Sequence, residues 1–186
     1  MQRRVNKMNC WKSVNLNKQY GIKWINLISI FIALLSFIIL NVPFSILHQT
    51  NQLNESGIIL FLVALILLPT LHSFMHILPL LLLKRRINLI IVRKKALPVF
   101  TFYTNSHISK NSFIFSALAP TLLITIPGII ATLLFPSIYI YSLLLTSLNI
   151  GISFLDFLTI RISFKAPKHA FVENGDEGFD ILLKAN

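Results

Sequence analysis

Four long apolar runs alternate with polar segments along this 186-residue chain. The runs cover residues 24–47, 57–83, 113–135 and 137–160, and only the last contains a charged residue. Each has roughly 20 residues or more, enough for an α-helix to cross the hydrocarbon core of a membrane. Because only Pro136 separates the last two runs, we expect them to form a tight helical hairpin. The pattern predicts an all-α membrane fold with four transmembrane helices.

The positive charge is confined to three polar segments: a leader (residues 1–23), a central loop (84–112) and a tail (161–186). These segments hold all 17 Lys and Arg residues, and residues 48–56 hold none. Positively charged loops mark the cytoplasmic side of a membrane protein. We therefore expect a multi-pass protein of the cell membrane with both termini in the cytoplasm and membrane lipid as a partner. Nucleic acid is not expected, because no aromatic-basic motif accompanies the charge.

Two stretches in the polar segments have the composition of β-strands. Residues 87–103 are β-branched and aromatic on either side of Arg93–Lys95, a pattern typical of a β-ribbon. The tail has a similar pattern around Asn174–Gly175, a dipeptide that favours a hairpin turn. We expect small cytoplasmic β-ribbons that pair into one sheet. The alternative is two loops without regular structure.

Two histidines in the second run, His72 and His76, are four residues apart. On a helix this spacing places both imidazoles on one face, within reach of a single metal ion. Ionisable residues are costly inside a span, so each is a candidate for function. The alternative is a pair of neutral histidines that hydrogen-bond to neighbouring helices.

The fourth run carries a polar stripe along one helix face. Its members recur at intervals of three or four residues: Ser142, Thr146, Asn149, Ser153 and Asp156. The stripe must face protein or water, because lipid offers polar groups no partner. Asp156 lies at nearly the same depth as His76, measured from the basic ends of the two helices. Two histidines and one carboxylate form a catalytic zinc ligand set, and Asn149 is a candidate to orient a ligand or a substrate.

Several short stretches, in this order and spacing, give the chain a resemblance to a known family. They are His72–His76 followed by Leu78–Pro79, then Ser116–Pro120, Asn149–Asp156, Ala166–Lys168 and Gly178–Phe179. From Met8 onward the chain resembles a bacterial family of small membrane proteins described as zincin peptidases, which is similar to the site-2-protease type of intramembrane metalloprotease. The resemblance implies zinc as cofactor, with His72, His76 and Asp156 as ligands. It also implies a membrane protein or peptide as substrate or partner.

The chain departs from the family motif directly after the first histidine. The family has glutamate there as the general base, and this chain has Ser73. A serine hydroxyl cannot take a proton from water near neutral pH, so it does not replace that base. Losing a general base typically costs on the order of 10²- to 10⁴-fold in rate. The resemblance thus implies a degenerate active site, with no catalytic residue assigned.

The sequence supports three hypotheses for function. The first is a metallopeptidase-like protein that binds zinc but hydrolyses peptides weakly or not at all. The second is a non-catalytic membrane scaffold that binds a partner and holds no metal. The third is a small oligomeric transporter or channel subunit, disfavoured because the two halves share no repeated pair of broken helices. Convergence of His72, His76 and Asp156 is the feature that the first hypothesis requires.

Overall fold

The computed structural model describes residues 8–49, 57–82, 88–94, 97–103, 107–175 and 178–184. Four helical stretches in it are long and apolar enough to cross a membrane: Ile22–His48, Ile58–Leu82, Lys110–Leu134 and Pro136–Phe164. The four predicted runs are therefore confirmed as helices. The fourth continues beyond the predicted boundary at residue 160, to Phe164.

The first two long helices are uninterrupted. A short helix α1 (Leu16–Tyr20) leads into α2 (Ile22–His48), and α3 (Ile58–Leu82) is the second long helix. Residues 50–56, which the sequence predicts as a loop without basic charge, lie outside the described residues. The same holds for residues 1–7 of the leader and 84–87 of the central loop.

The third and fourth long helices are each interrupted. The third consists of α4 (Lys110–Pro120), a π-helical segment (Thr121–Thr125) and α5 (Ile126–Leu134). The fourth consists of a 3₁₀ turn (Pro136–Ile138), α6 (Tyr139–Ile152) and α7 (Phe154–Phe164). The π segment directly precedes Ile126 and Pro127, and proline has no N–H to continue an α-helical hydrogen-bond series. The predicted tight hairpin between the two long helices is present.

Helix α6 lies at the centre of the bundle and packs against α2, α3 and α5. Its contact with α2 is close because position 151 is glycine. A Cβ added to Gly151 would lie 2.6 Å from the carbonyl oxygen of Ser29 and 2.7 Å from Cβ of Ala33. Small residues allow this approach of two helix backbones, which is a common means of association in lipid. Helix α4 packs against α3 and α7, so the helices that carry the predicted site adjoin one another.

A four-stranded antiparallel sheet joins three distant parts of the chain in the strand order β1-β6-β5-β4. The strands are β1 (Met8–Val14), β4 (Ile108–Ser109), β5 (Phe171–Gly175) and β6 (Gly178–Lys184). Strands β2 (Asn88–Lys94) and β3 (Leu97–Tyr103) form a separate hairpin. Both predicted ribbons are therefore present. The expectation that they pair with each other is wrong, because β1 and β4 occupy the two edges of the tail hairpin.

One face of the four-stranded sheet packs on the helix ends. Its core contains Val14, Ala166, Ala170, Val172, Phe179 and Ile181, with Phe113 of α4 and Ile162 of α7 against it. At Gly178 the backbone carbonyl of Val14 passes so close that a side chain has no room. The sheet is thus attached to the bundle where α4 begins and α7 ends.

Lys110 begins α4 and is 9% exposed, although the sequence places it in the basic loop. Its Nζ donates hydrogen bonds to the carbonyl oxygens of Phe164 at 3.2 Å and Ala166 at 2.6 Å, where α7 ends. A cation at a helix C-terminus satisfies carbonyls that lack helical donors.

We expect Lys110→Met to lower the free energy of unfolding by about 2 kcal/mol, measured by denaturant titration in detergent. Lys12→Met, at an exposed position of β1, is the control; equal losses would contradict the proposed role.

Candidate metal centre

The structure brings His72 and His76 of α3 together with Asp156 of α7. The Nε2 atom of His72 lies 3.1 Å from Oδ2 of Asp156. The Nε2 atom of His76 lies 3.3 Å from Oδ1 of the same carboxylate. One potential ligand atom from each residue lies within 4.8 Å of the other two. The matched depth predicted for the two helices therefore corresponds to direct contact.

The first histidine of the cluster is held by Asn149 of α6. His72 is 5% exposed, and its Nδ1 lies 2.9 Å from Oδ1 of Asn149, which is fully buried. The Nδ2 atom of Asn149 donates to the carbonyl oxygen of Pro120 at 3.3 Å and to Oγ1 of Thr125 at 3.0 Å. Because a carbonyl oxygen can only accept, the amide nitrogen of Asn149 must face Pro120. Its oxygen then faces His72, so Nδ1 of His72 carries the proton.

The second histidine is held by the backbone of α4. Nδ1 of His76 donates to the carbonyl oxygen of Ser116 at 2.9 Å. The hydroxyl of Ser116 in turn donates to the backbone carbonyl of His76. These two hydrogen bonds join α3 to α4 at the height of the cluster. They also place the proton of the neutral imidazole on Nδ1, as in His72.

The positions of the protons on the two histidines determine the electrostatics of the cluster. With protons on both Nδ1 atoms, the lone pairs of both Nε2 atoms point at the carboxylate of Asp156. Three electron-rich groups in contact need a positive charge between them, which either a proton on an imidazole or a metal ion can supply. Zinc accepts two imidazole nitrogens and one carboxylate oxygen, and bonds of about 2.0–2.1 Å separate its ligands by roughly 3.3 Å. The residues present fit this ion after a small closure of the site.

Ser73 does not take part in the cluster. Its Oγ donates a hydrogen bond to the carbonyl oxygen of Pro69 at 2.9 Å, one turn earlier in α3. This is the usual partner of a serine within a helix. The hydroxyl is therefore bound to its own helix rather than directed at the three ligand atoms.

The rest of the predicted polar stripe is used for helix contacts. Ser142 donates to the carbonyl oxygen of Gly128 at 3.0 Å and links α6 to α5. Thr146 and Ser153 are buried and donate to carbonyls one turn earlier, at 2.8 and 2.9 Å. Within the described chain the stripe faces protein, which is one of the two environments that the sequence allowed.

The other three histidines lie outside the cluster, and His169 in the tail is exposed. The Nε2 atom of His48, at the end of α2, lies 2.8 Å from the carbonyl oxygen of Thr132. The sequence suggests only a surface position for His48, and its contact with α5 was not predicted. His107 is exposed and lies 3.6 Å from the carboxylate of Glu173, as a solvated histidine is expected to be.

Sequence reasoning missed the groups that orient the two imidazoles. Thr125 and the carbonyl of Pro120 act on Asn149, and the carbonyl of Ser116 acts on His76. The resemblance singled out Ser116–Pro120 but gave no role to it. A contact made by a backbone carbonyl cannot be predicted from residue types. Thr125 could have been singled out, because it is a polar residue among apolar ones two positions before Pro127.

The fold and the cluster define a class: a helical protein with four helices of membrane-spanning length and a cluster of two histidines and one aspartate that could hold a metal ion. Residues 65–171 match the sequence model of a family described as "Putative zincin peptidase". The match covers more than half of the chain, so the protein belongs to this family, as its resemblance predicted. The matched region contains all three residues of the cluster and Asn149. It covers fewer residues than the predicted resemblance, which began at Met8. Comparison with curated proteins and with solved structures gave no significant match.

Proposed function

We propose that this protein is a membrane-embedded zinc-binding member of the zincin peptidase family that no longer hydrolyses peptides efficiently. One observation carries the proposal. The buried imidazole of His72 and the partly buried imidazole of His76 have their Nδ1 atoms committed to fixed acceptors, and both Nε2 atoms are directed at Asp156. Without a metal ion, protons on the imidazoles would have to supply the positive charge that this arrangement needs, and a metal ion would supply it directly. His72, His76 and Asp156 would be the zinc ligands.

The loss of hydrolysis follows from the residues around this centre. A bound zinc ion supplies Lewis-acid chemistry. Peptide hydrolysis also needs a group that takes a proton from water and returns it to the leaving amine. Ser73 cannot do this, and Asp156, the only carboxylate in the predicted spans, is committed to the metal. The centre would bind zinc and hold a peptide or protein partner without turning it over rapidly.

Insertion in a membrane is supported by the exposed surface of the helices. Large apolar side chains of α2 face outward, such as Phe31 at 63% and Ile46 at 67% exposure. A soluble protein rarely exposes a continuous apolar surface of this extent, whereas lipid covers it favourably. The protein is therefore proposed to be a multi-pass membrane protein.

The orientation is supported by the four-stranded sheet. Strand β1 precedes the first long helix, β4 lies between the second and third, and β5 and β6 follow the fourth. Because these strands pair in one sheet, all three segments lie on one side of the bundle. They are the segments that contain the basic residues. By the positive-inside rule, this charge supports our proposal that the side carrying the sheet is cytoplasmic.

The channel hypothesis receives no such support. Its polar stripe would have to line water between copies, but Thr146, Asn149 and Ser153 are at most 2% exposed in a single chain. Their hydrogen bonds are made within the bundle. The scaffold hypothesis differs from the proposed function in one measurable property, the bound metal.

Zinc content tests the proposal directly. We expect detergent-purified protein to contain about one zinc ion per chain, measured by elemental mass spectrometry. The variant His72→Gln should lose zinc affinity by about 100-fold or more, because one of three ligands is removed.

His48→Gln is the matched control. Like His72, His48 makes a hydrogen-bond contact with another helix, here to the carbonyl oxygen of Thr132 at 2.8 Å, but it lies at the C-terminal end of α2. It should retain full zinc content. Protein without zinc after supplementation, or equal zinc in wild type and His72→Gln, would favour the metal-free scaffold.

A further inference from the structure

We propose that the π-helical segment sets His72 in its metal-binding tautomer, and that Thr125 is a positioning residue for the metal centre. The inference rests on the proposed zinc site and extends it to a residue that contacts no ligand atom. The path runs from the π segment to Asn149 and from Asn149 to His72. Each step is a hydrogen bond between buried groups.

Asn149 could in principle be placed in either of two ways. In the orientation present, its Oδ1 accepts from Nδ1 of His72, and Nε2 keeps its lone pair for a metal. In the reversed orientation its amide would donate to Nδ1, and Nε2 would carry the proton. Nε2 would then donate to Asp156 and could not bind a metal. The direction of one amide therefore separates a metal-binding centre from an ordinary hydrogen-bonded pair.

The π segment excludes the reversed orientation. Reversal would place the oxygen of Asn149 against the carbonyl oxygen of Pro120, which now lies 3.3 Å from its Nδ2. Two acceptor oxygens in contact in a buried site cannot hydrogen-bond to each other, so the free energy of removing both from water is not recovered. Thr125 provides the second acceptor, at 3.0 Å, so both hydrogens of the amide are satisfied. The side chain of Thr125 is largely buried, so water is a poor substitute.

The change of helix type explains why these two acceptors meet. Pro120 and Thr125 are five residues apart, at either end of the π segment. In an α-helix, residues five apart diverge by about 140° around the axis. A π turn closes over five residues and brings them to the same side. The wide turn thus presents a carbonyl and a hydroxyl together to Asn149.

The tautomer of His72 gives a test that does not depend on metal. Specific ¹⁵N labelling of histidine in the metal-free protein, in mildly alkaline buffer, should show the proton of His72 on Nδ1, assigned with His72→Gln. Thr125→Val should shift part of this population to Nε2. A proton on Nε2 in the wild type, or an unchanged population in Thr125→Val, would overturn the inference.

Zinc affinity gives the second readout. We expect Thr125→Val to raise the Kd for zinc by about 10-fold, because one amide hydrogen of Asn149 loses its acceptor. Thr125→Ser keeps the hydroxyl and should restore the wild-type Kd. The matched control is Thr132→Val, which removes a buried hydroxyl from α5 that binds Gly128 rather than Asn149. It should leave the Kd within about twofold.

The two proposals fail in different ways. If the wild type shows the Nδ1 tautomer but binds no zinc, the proposed function is wrong and the role of the π segment stands. If the wild type binds zinc and Thr125→Val binds it equally, the positioning role is wrong and the zinc centre stands. A loss in Thr132→Val as large as in Thr125→Val would also reject the positioning role, because it would reflect general damage to the helix.

Discussion

Replacing Ser73 with glutamate is expected to give this protein zinc-dependent peptidase activity on the order of 10²- to 10⁴-fold above the wild-type background. The substitution supplies the general base directly after the first metal-binding histidine, where the family motif has it. The existing hydroxyl binds only the carbonyl of Pro69, so its removal leaves the cluster of His72, His76 and Asp156 intact. Cleavage of a library of apolar peptides in detergent, followed by mass spectrometry, measures the gain.

Ser73→Gln is the matched control for this experiment. It has the size and polarity of glutamate but accepts no proton near neutral pH. It should remain at the wild-type background, and a chelator should abolish the activity of Ser73→Glu. A zinc-loaded Ser73→Glu protein that cleaves none of the peptides would show that more than the base has been lost from the family's active site.

Gly151→Leu should prevent the bundle from assembling. Even a Cβ at this position would lie 2.6 Å from the backbone oxygen of Ser29, which cannot move without shifting α2. Overpacking of this kind costs about 1–3 kcal/mol for modest insertions and more where backbone must move. We expect Gly151→Leu to be recovered mainly as aggregate, and Gly151→Ala to fold with a lower midpoint of denaturation. Size-exclusion profiles and denaturant titration in detergent measure both.

Gly57→Ala separates a steric clash from a general effect of glycine replacement. There the nearest atom to an added Cβ belongs to the ring of Tyr141, at 3.0 Å, and a side chain can yield. Alanine has a higher helix propensity than glycine, which by itself should stabilise either variant. A loss of stability in Gly151→Ala would therefore come from the steric clash. Equal stability of Gly151→Ala and wild type would show that the contact between α2 and α6 is looser than described.

The four long helices and the three clustered residues were predictable from sequence because each depends on a local pattern. Uncharged runs of sufficient length specify spans, and the spacing of His72 and His76 fixes a shared face. The depth of Asp156 followed from counting residues to the basic helix ends. To predict that the second and fourth helices meet, it was then enough to assume that the carboxylate of Asp156 needs partners inside the bundle.

The addition of β1 and β4 to the predicted tail hairpin, and the π segment, were not predictable in this way. Strand β1 is a polar leader by composition, and its partner β6 is at the other end of the chain. Long-range pairing of this kind has no local signature. The π segment arises where Pro127 interrupts the α-helical hydrogen bonds and Asn149 of another helix takes up a carbonyl, a coincidence of two distant segments.

The pairing of β1 with β6 has a consequence for biosynthesis. Val14 is paired with Phe179, about 165 residues later in the chain. At translation rates of 5–20 residues per second, β1 waits roughly 10 to 30 s for its partner strand. During that interval an unpaired strand edge is available to chaperones or to a neighbouring nascent chain. Strand β6, which leaves the ribosome long after β1, therefore completes the sheet that β1 began.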